Sequence, residues 1–175
     1  MSTRSSVSWY GGGIILILLA TYFIGMSRHS QTEQINSERI TEHAVGEFSN
    51  LVPFTLGRIS LLASIADTDA ERTQGLSDTK EMPVGVAKVF IFDTSEKWSF
   101  WMKDMNYSID IFWLDENGHV VYMVESVSPD TYPSTSFAPP VPAKYVIETR
   151  AGFAAENSIK IGEVAGMTQI LTGKQ

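Results

Sequence analysis

Arg72, Trp101, Lys103, Asp110 and Glu148 are the residues whose types and settings offer chemistry. Neighbouring side chains on a strand point to opposite faces. Asp110 therefore shares its side of a strand with Phe112 and Leu114, and Glu148 shares its side with Val146. A carboxylate set against apolar surface requires a partner. The cations available are Arg72, Lys103 and Arg150, and the simplest arrangement joins Arg72 to Asp110 or Glu148. For Asp110, Arg72 is the first candidate and Lys103 the second. If the cluster is a buried ion pair, it is architecture. If it is a site, Trp101 supplies a flat apolar wall while Lys103 or Arg72 binds an anionic or polar ligand.

Other chemistry is poorly provided for. His29 and His43 fall in or beside a polar stretch, His119 stands next to a turn, and there is no Cys, so no metal site and no cofactor is expected. No G-x-S-x-G, G-x-G-x-x-G or Walker pattern occurs. In the absence of a complete catalytic set, the first expectation is a non-catalytic ligand-binding or interaction module. A second is a hydrolase or lyase with Asp110 or Glu148 as acid or base beside Arg72 and Lys103. A third is a structural partner of another envelope protein.

Charge narrows the partners. The chain has 13 Lys and Arg against 20 Asp and Glu. Because Arg4, Arg28 and Arg39 are matched by Glu33, Glu38 and Glu42, the whole excess of seven negative charges falls after residue 43. Phosphate backbones repel such a surface, so nucleic acid is not an expected partner.

The elements that must position these residues read as strand-rich. Phe54 to Ala66 is β-compatible, and Thr68-Asp69-Ala70-Glu71 has the pattern of a capping box, predicting a short helix that carries Arg72 and ends near Gly75. Strands are predicted at 86–92, 97–103, 108–115 and 119–127. The second of these puts Trp98, Phe100 and Met102 inward and Lys97, Ser99, Trp101 and Lys103 outward. Asp115-Glu116-Asn117-Gly118 predicts a hairpin with a tight primed turn. Residues 128–143 hold five of the seven prolines and must be loop. A strand at 144–149, a short helix at 151–157 and a β-like tail at 159–164 complete an α+β domain, mainly β. The expected architecture is a small curved or barrel-like, mostly antiparallel sheet with two short helices, preceded by one transmembrane helix.

That helix is expected near the N-terminus. No charged residue lies between Arg4 and Arg28, a gap that fits the roughly 20 apolar residues a bilayer requires. Trp9, Tyr10 and Tyr22 suit its interfaces, and no A-x-A-like pair marks a cleavage site. The expected organisation is a tail at 1–10, an anchor at 11–26, a polar spacer at 27–43 and one globular domain at 44–175. Its partner would be the lipid bilayer, with a single pass through the cytoplasmic membrane. Flanking charges nearly tie, and the short head before one hydrophobic run favours an extracytoplasmic domain. The small-molecule or protein partner is left open.

The series Glu71-Arg72-Thr73-Gln74-Gly75-Leu76, Val89-Phe90-Ile91-Phe92, Phe100-Trp101-Met102-Lys103-Asp104-Met105, Ile109 to Asp115, Gly118-His119-Val120-Val121 and Tyr145-Val146-Ile147-Glu148 resembles the family called domain of unknown function 192. The likeness runs from about Phe54 to Gly166. It implies a small, mainly β, barrel-like domain, common in bacteria and archaea and often behind an export signal or anchor, with no established activity. The recurrent polar positions of that family fall here on Arg72, Lys103, Asp110 and Glu148. The chain departs from the family pattern at Ser77, at Gly85-Val86-Ala87-Lys88 and at 104–108.

Overall fold

The computed structural model describes residues 48 and 50–172. In chain order the elements are β1 (Val52–Leu56), β2 (Ile59–Ala66), α1 (Asp69–Gln74), β3 (Val86–Glu96), β4 (Ile109–Leu114), β5 (Val120–Val127), one 3-10 turn (Pro129–Thr131), β6 (Ala143–Arg150), α2 (Phe153–Asn157) and α3 (Thr168–Thr172). The strands form one six-stranded sheet in the order β1-β2-β3-β6-β4-β5. Every neighbouring pair is antiparallel except β2 with β3, so the sheet is mixed.

The sheet stays open, which corrects the barrel-like expectation. Its two ends are approached by the tail, which makes only isolated bridges, Leu56 with Ala165 and His119 with Val164. The tail at 159–164 is therefore no strand of its own. Nor is 97–103, where a single bridge joins Phe100 to Phe137 of the Pro-rich loop. The alternation expected there survives without a ladder, since Met102 is buried while Trp101 and Lys103 are exposed.

Both faces of the sheet are covered. One carries the main core, in which Ala63, Val89, Phe112, Leu114 and Ile147 meet Phe153, Ala154 and Ile170 from α2 and α3. The other carries Phe90 and Trp113, against which the ring of Phe100 packs edge-on at 4.9 and 5.9 Å between centroids. Strand β4 lies inside this sandwich and all six of its residues are buried. A polar side chain on β4 is thus dry whichever way it points.

Local signals work where backbone polar groups must be satisfied. Thr68 caps α1 with the full box: its hydroxyl accepts from the Glu71 N–H at 3.2 Å, and the Glu71 carboxylate accepts from the Thr68 N–H at 3.0 Å. The Thr68 N–H and hydroxyl, with the Asp67 N–H, donate to the Glu71 carboxylate and hold it down at about 2. At the hairpin, the Asp115 carboxylate accepts the N–H groups of Asn117 and His119, each at 2.9 Å. Only Gly118 takes a positive φ there, +83°, so the turn is held by aspartate and is not of the primed type. A side chain at Gly118 would also meet the Ala165 carbonyl at 2.9 Å. No helix among the described residues is long and apolar enough to cross a membrane. The expected tail, anchor and spacer, 1–43, lie outside those residues.

Candidate functional site

Asp110 is wholly buried on the Phe112 and Leu114 side of β4, as alternation requires, but its partners are not cations. One carboxylate oxygen accepts from the Ser126 N–H at 2.7 Å and the Gly152 N–H at 3.2 Å, and the other from the Ala154 N–H at 2.8 Å. The first donor exists because of a bulge. Glu125 and Ser126 together face the single residue Asp110, since Ile109 pairs with Val127 and Ile111 with Val124. The other two donors are the free amides at the start of α2, whose own cap residue, Gly152, has no side chain to offer. Asp110 therefore caps a helix from a neighbouring strand and pins the bulge with the same group.

The expected Arg72 to Asp110 pair is not formed. Arg72 donates to the carbonyls of Asp67 and Ile91 at 2.6 and 2.8 Å, pairs with the exposed Asp69 at 2.6 Å, and lies over the Phe92 ring at 5.4 Å. These contacts tie α1 to β3. Lys103, the second candidate, is half exposed and stands 3.7 Å from Asp104. Arg150 is paired with Glu156. Trp101 is 58% exposed and is the most exposed aromatic side chain of the domain among the described residues.

Glu148 is placed differently again. Register sets Asp110 opposite Thr149 and Ile111 opposite Glu148, so the two carboxylates project from opposite faces of the sheet and share no site. On its own face Glu148 belongs to a row that crosses three strands, because Ser64 pairs with Lys88 and Lys88 with Glu148. The Lys88 ammonium nitrogen lies 3.2 Å from the Ser64 hydroxyl. The next row on this face is Phe90, Val146 and Trp113. Glu148 is only 4% exposed and its Oε2 has no hydrogen-bond partner. Burial pushes its carboxyl up to about 8, against the opposing pull of Lys88. Burial likewise lowers Lys88, while Glu71 and Glu148 act the other way. Burial thus favours the neutral form of both groups, which are register partners across β3 and β6.

Ser64 and Lys88 were not among the residues singled out from the sequence. The signal for Lys88 was present. It shares its side of β3 with Val86 and Phe90, the same conflict of charge with apolar neighbours that marks Asp110. Ser64 gives no such signal, because a serine is unremarkable on either face of a strand.

Among the described residues, an open, mixed six-stranded sheet with three short helices and a polar row across β2, β3 and β6 defines a small, mainly β domain. The family known as DUF192, described as uncharacterized ACR, matches residues 54–166, and the chain belongs to it. Two solved structures share the fold. A candidate transcription regulator from Sinorhizobium meliloti is 20% identical with a TM-score of 0.63, covering 67% of this chain and 94% of its own. A protein of unknown function from Novosphingobium aromaticivorans is 24% identical with a TM-score of 0.62, covering 66% and 84% respectively. No curated protein matches the chain.

Proposed function

We propose that the domain is a binding module that contacts a ligand or partner around Trp101, and that the hydrophobic segment 11–26 holds it at the cell envelope. Trp101 carries this reading. The residue is 58% exposed, yet its backbone is fixed, since Phe100 and Phe137 exchange two backbone hydrogen bonds of 2.8 Å and Met102 is buried on its other side. A large flat apolar group on a fixed backbone loses little backbone entropy on contact, and tryptophan is enriched among the residues that dominate interfaces. Lys103 stands beside it with half its side chain in water. With Arg72 engaged and Asp110 sealed, Trp101 and Lys103 are the sequence candidates a partner reaches. The acid excess of the chain argues against nucleic acid as that partner, whatever the relative from Sinorhizobium meliloti binds.

The test uses full-length protein released from its own membranes in mild detergent and sized by sedimentation. The wild type is expected to sediment as a complex, Trp101→Phe to keep most of it, and Trp101→Ala to fall to the size of the free protein. A Trp101→Ala variant that sediments like wild type contradicts the reading. One observation favours a second reading, a lyase or hydrolase, and confines it to Glu148: the buried carboxyl with an unpartnered oxygen. Asp110 has no place in that chemistry, because three amides occupy its oxygens.

A further inference from the structure

The row Ser64, Lys88 and Glu148 has no use in a surface contact at Trp101. Of the three, Ser64 and Glu148 are buried and only Lys88 is partly exposed, so the amine is the group a small molecule meets first. Its nitrogen donates to a neutral hydroxyl at 3.2 Å and, among the described residues, has no carboxylate within 4.0 Å to hold it as a cation. Directly across the strand pair stands the Glu148 carboxyl with its unpartnered Oε2. We propose that Lys88 is a nucleophilic amine that condenses reversibly with a small uncharged aldehyde or ketone, and that Glu148 is the acid that expels water.

The neutral amine is the attacking species, and the burial of Lys88 raises its share. The nitrogen lone pair adds to the carbonyl carbon, the carbon–oxygen π pair moves to oxygen, and the proton lost from nitrogen ends on that oxygen, giving a carbinolamine. Glu148 then gives its proton to the carbinolamine hydroxyl, the carbon–oxygen bond breaks, water leaves, and a carbon–nitrogen double bond forms. The product is an iminium at Lys88 beside a Glu148 carboxylate. Both groups thus end charged and adjacent, where before the reaction burial favoured both in neutral form. Hydrolysis runs the same steps backwards.

The surroundings choose the carbonyl compound. The charged groups that act on Lys88 are Glu71 and Glu148, both acidic, and the guanidinium of Arg72 is held by two carbonyls and Asp69. Nothing there clamps an anion, so keto acids and sugar phosphates are disfavoured. Flanking positions on the same face are Val86, Phe90 and Ile111, which suit a short alkyl or aryl substituent.

Full-length protein treated with limiting butanal and cyanoborohydride at neutral pH, followed by peptide mass mapping, tests this directly. Alkylation at Lys88 is expected to run on the order of tenfold or more faster than at the exposed Lys97, Lys103 and Lys160, because only the neutral amine attacks. Lys88→Arg is expected to remove that label alone. Glu148→Gln is expected to slow it by roughly a hundredfold without touching the exposed lysines, the usual scale of general-acid help. Labelling at Lys88 no faster than at the surface lysines overturns the inference in the wild-type protein itself, whether or not the variants fold. The inference rests on the Glu148 reading, and the carboxyl titration of Glu148, followed by NMR, separates the two. A carboxyl that titrates near 8 with Lys88 unlabelled removes the condensation and leaves the acid.

Discussion

Asp110 is an ionisable side chain at the centre of a sandwich, and what makes it tolerable is the backbone. Three amide N–H groups, from the β5 bulge and the first turn of α2, converge on its two oxygens. Hydrogen bonds to a charged group are each worth about 1.5–3 kcal/mol, and a buried donor left alone costs about 1–3 kcal/mol. Asp110→Ala is therefore expected to lower stability by about 3–5 kcal/mol in a urea titration, on the scale of breaking a buried charged network. Arg72→Ala is also expected to destabilise, by about 1–2 kcal/mol, through its lost carbonyl bonds and its contact with Phe92. The two share no partner, so the double variant should equal the sum within about 0.5 kcal/mol. A coupling well above 1 kcal/mol would restore the ion pair that the sequence invites. Alternation along β4 was enough to place Asp110 in a dry setting. Its partners were not legible, because a bulge and a helix start 42 residues away in sequence supply them.

Among the elements, those governed by local chemistry are the ones the sequence shows. The Thr68 to Glu71 box starts α1 where expected, and Asp115 to Gly118 closes the β4–β5 hairpin. The segment 97–103 has strand alternation but pairs only at Phe100, since β3 and β4 already have other neighbours in the sheet. The row Ser64, Lys88 and Glu148 depends on pairing order as well, because β2, β3 and β6 are brought together only by the crossover.

That row makes a pH prediction. The folded-state carboxyl of Glu148 sits near 8 against 4.5 for an ordinary glutamate, so the folded protein binds an extra proton between these values. Stability from this group is full below 4.5 and is lost as pH rises toward 8, by on the order of 1 kcal/mol per pH unit. Lys88 is shifted downward, so it has the opposite slope, between its folded and ordinary values. Glu148→Gln should abolish the loss: it should match wild type at pH 5 and exceed it in urea resistance at pH 8. A variant less stable than wild type at both pH values would mean that Glu148 is ionised and paired.

At the scale of the molecule, a DUF192 domain occupies residues 54–166 and presents Trp101 to water. Length and charge indicated its size and acidity, and the run of short alternating segments its mainly β character. The openness of the sheet was not legible, because closure depends on whether the tail forms a ladder or, as here, two isolated bridges. On the proposed reading, the segment 11–26 would hold the domain at a membrane and bring the surface around Trp101 to whatever shares that membrane.

The most direct measurement is site-specific photo-crosslinking in the cells that make the protein, with a benzophenone amino acid at position 101 and, as a control, at the exposed Glu125. A discrete adduct of fixed mass is expected from position 101, absent at 125 and lost when excess wild-type protein is co-expressed. An unmodified chain at 101, or the same smear of adducts at both positions, contradicts the proposed contact around Trp101.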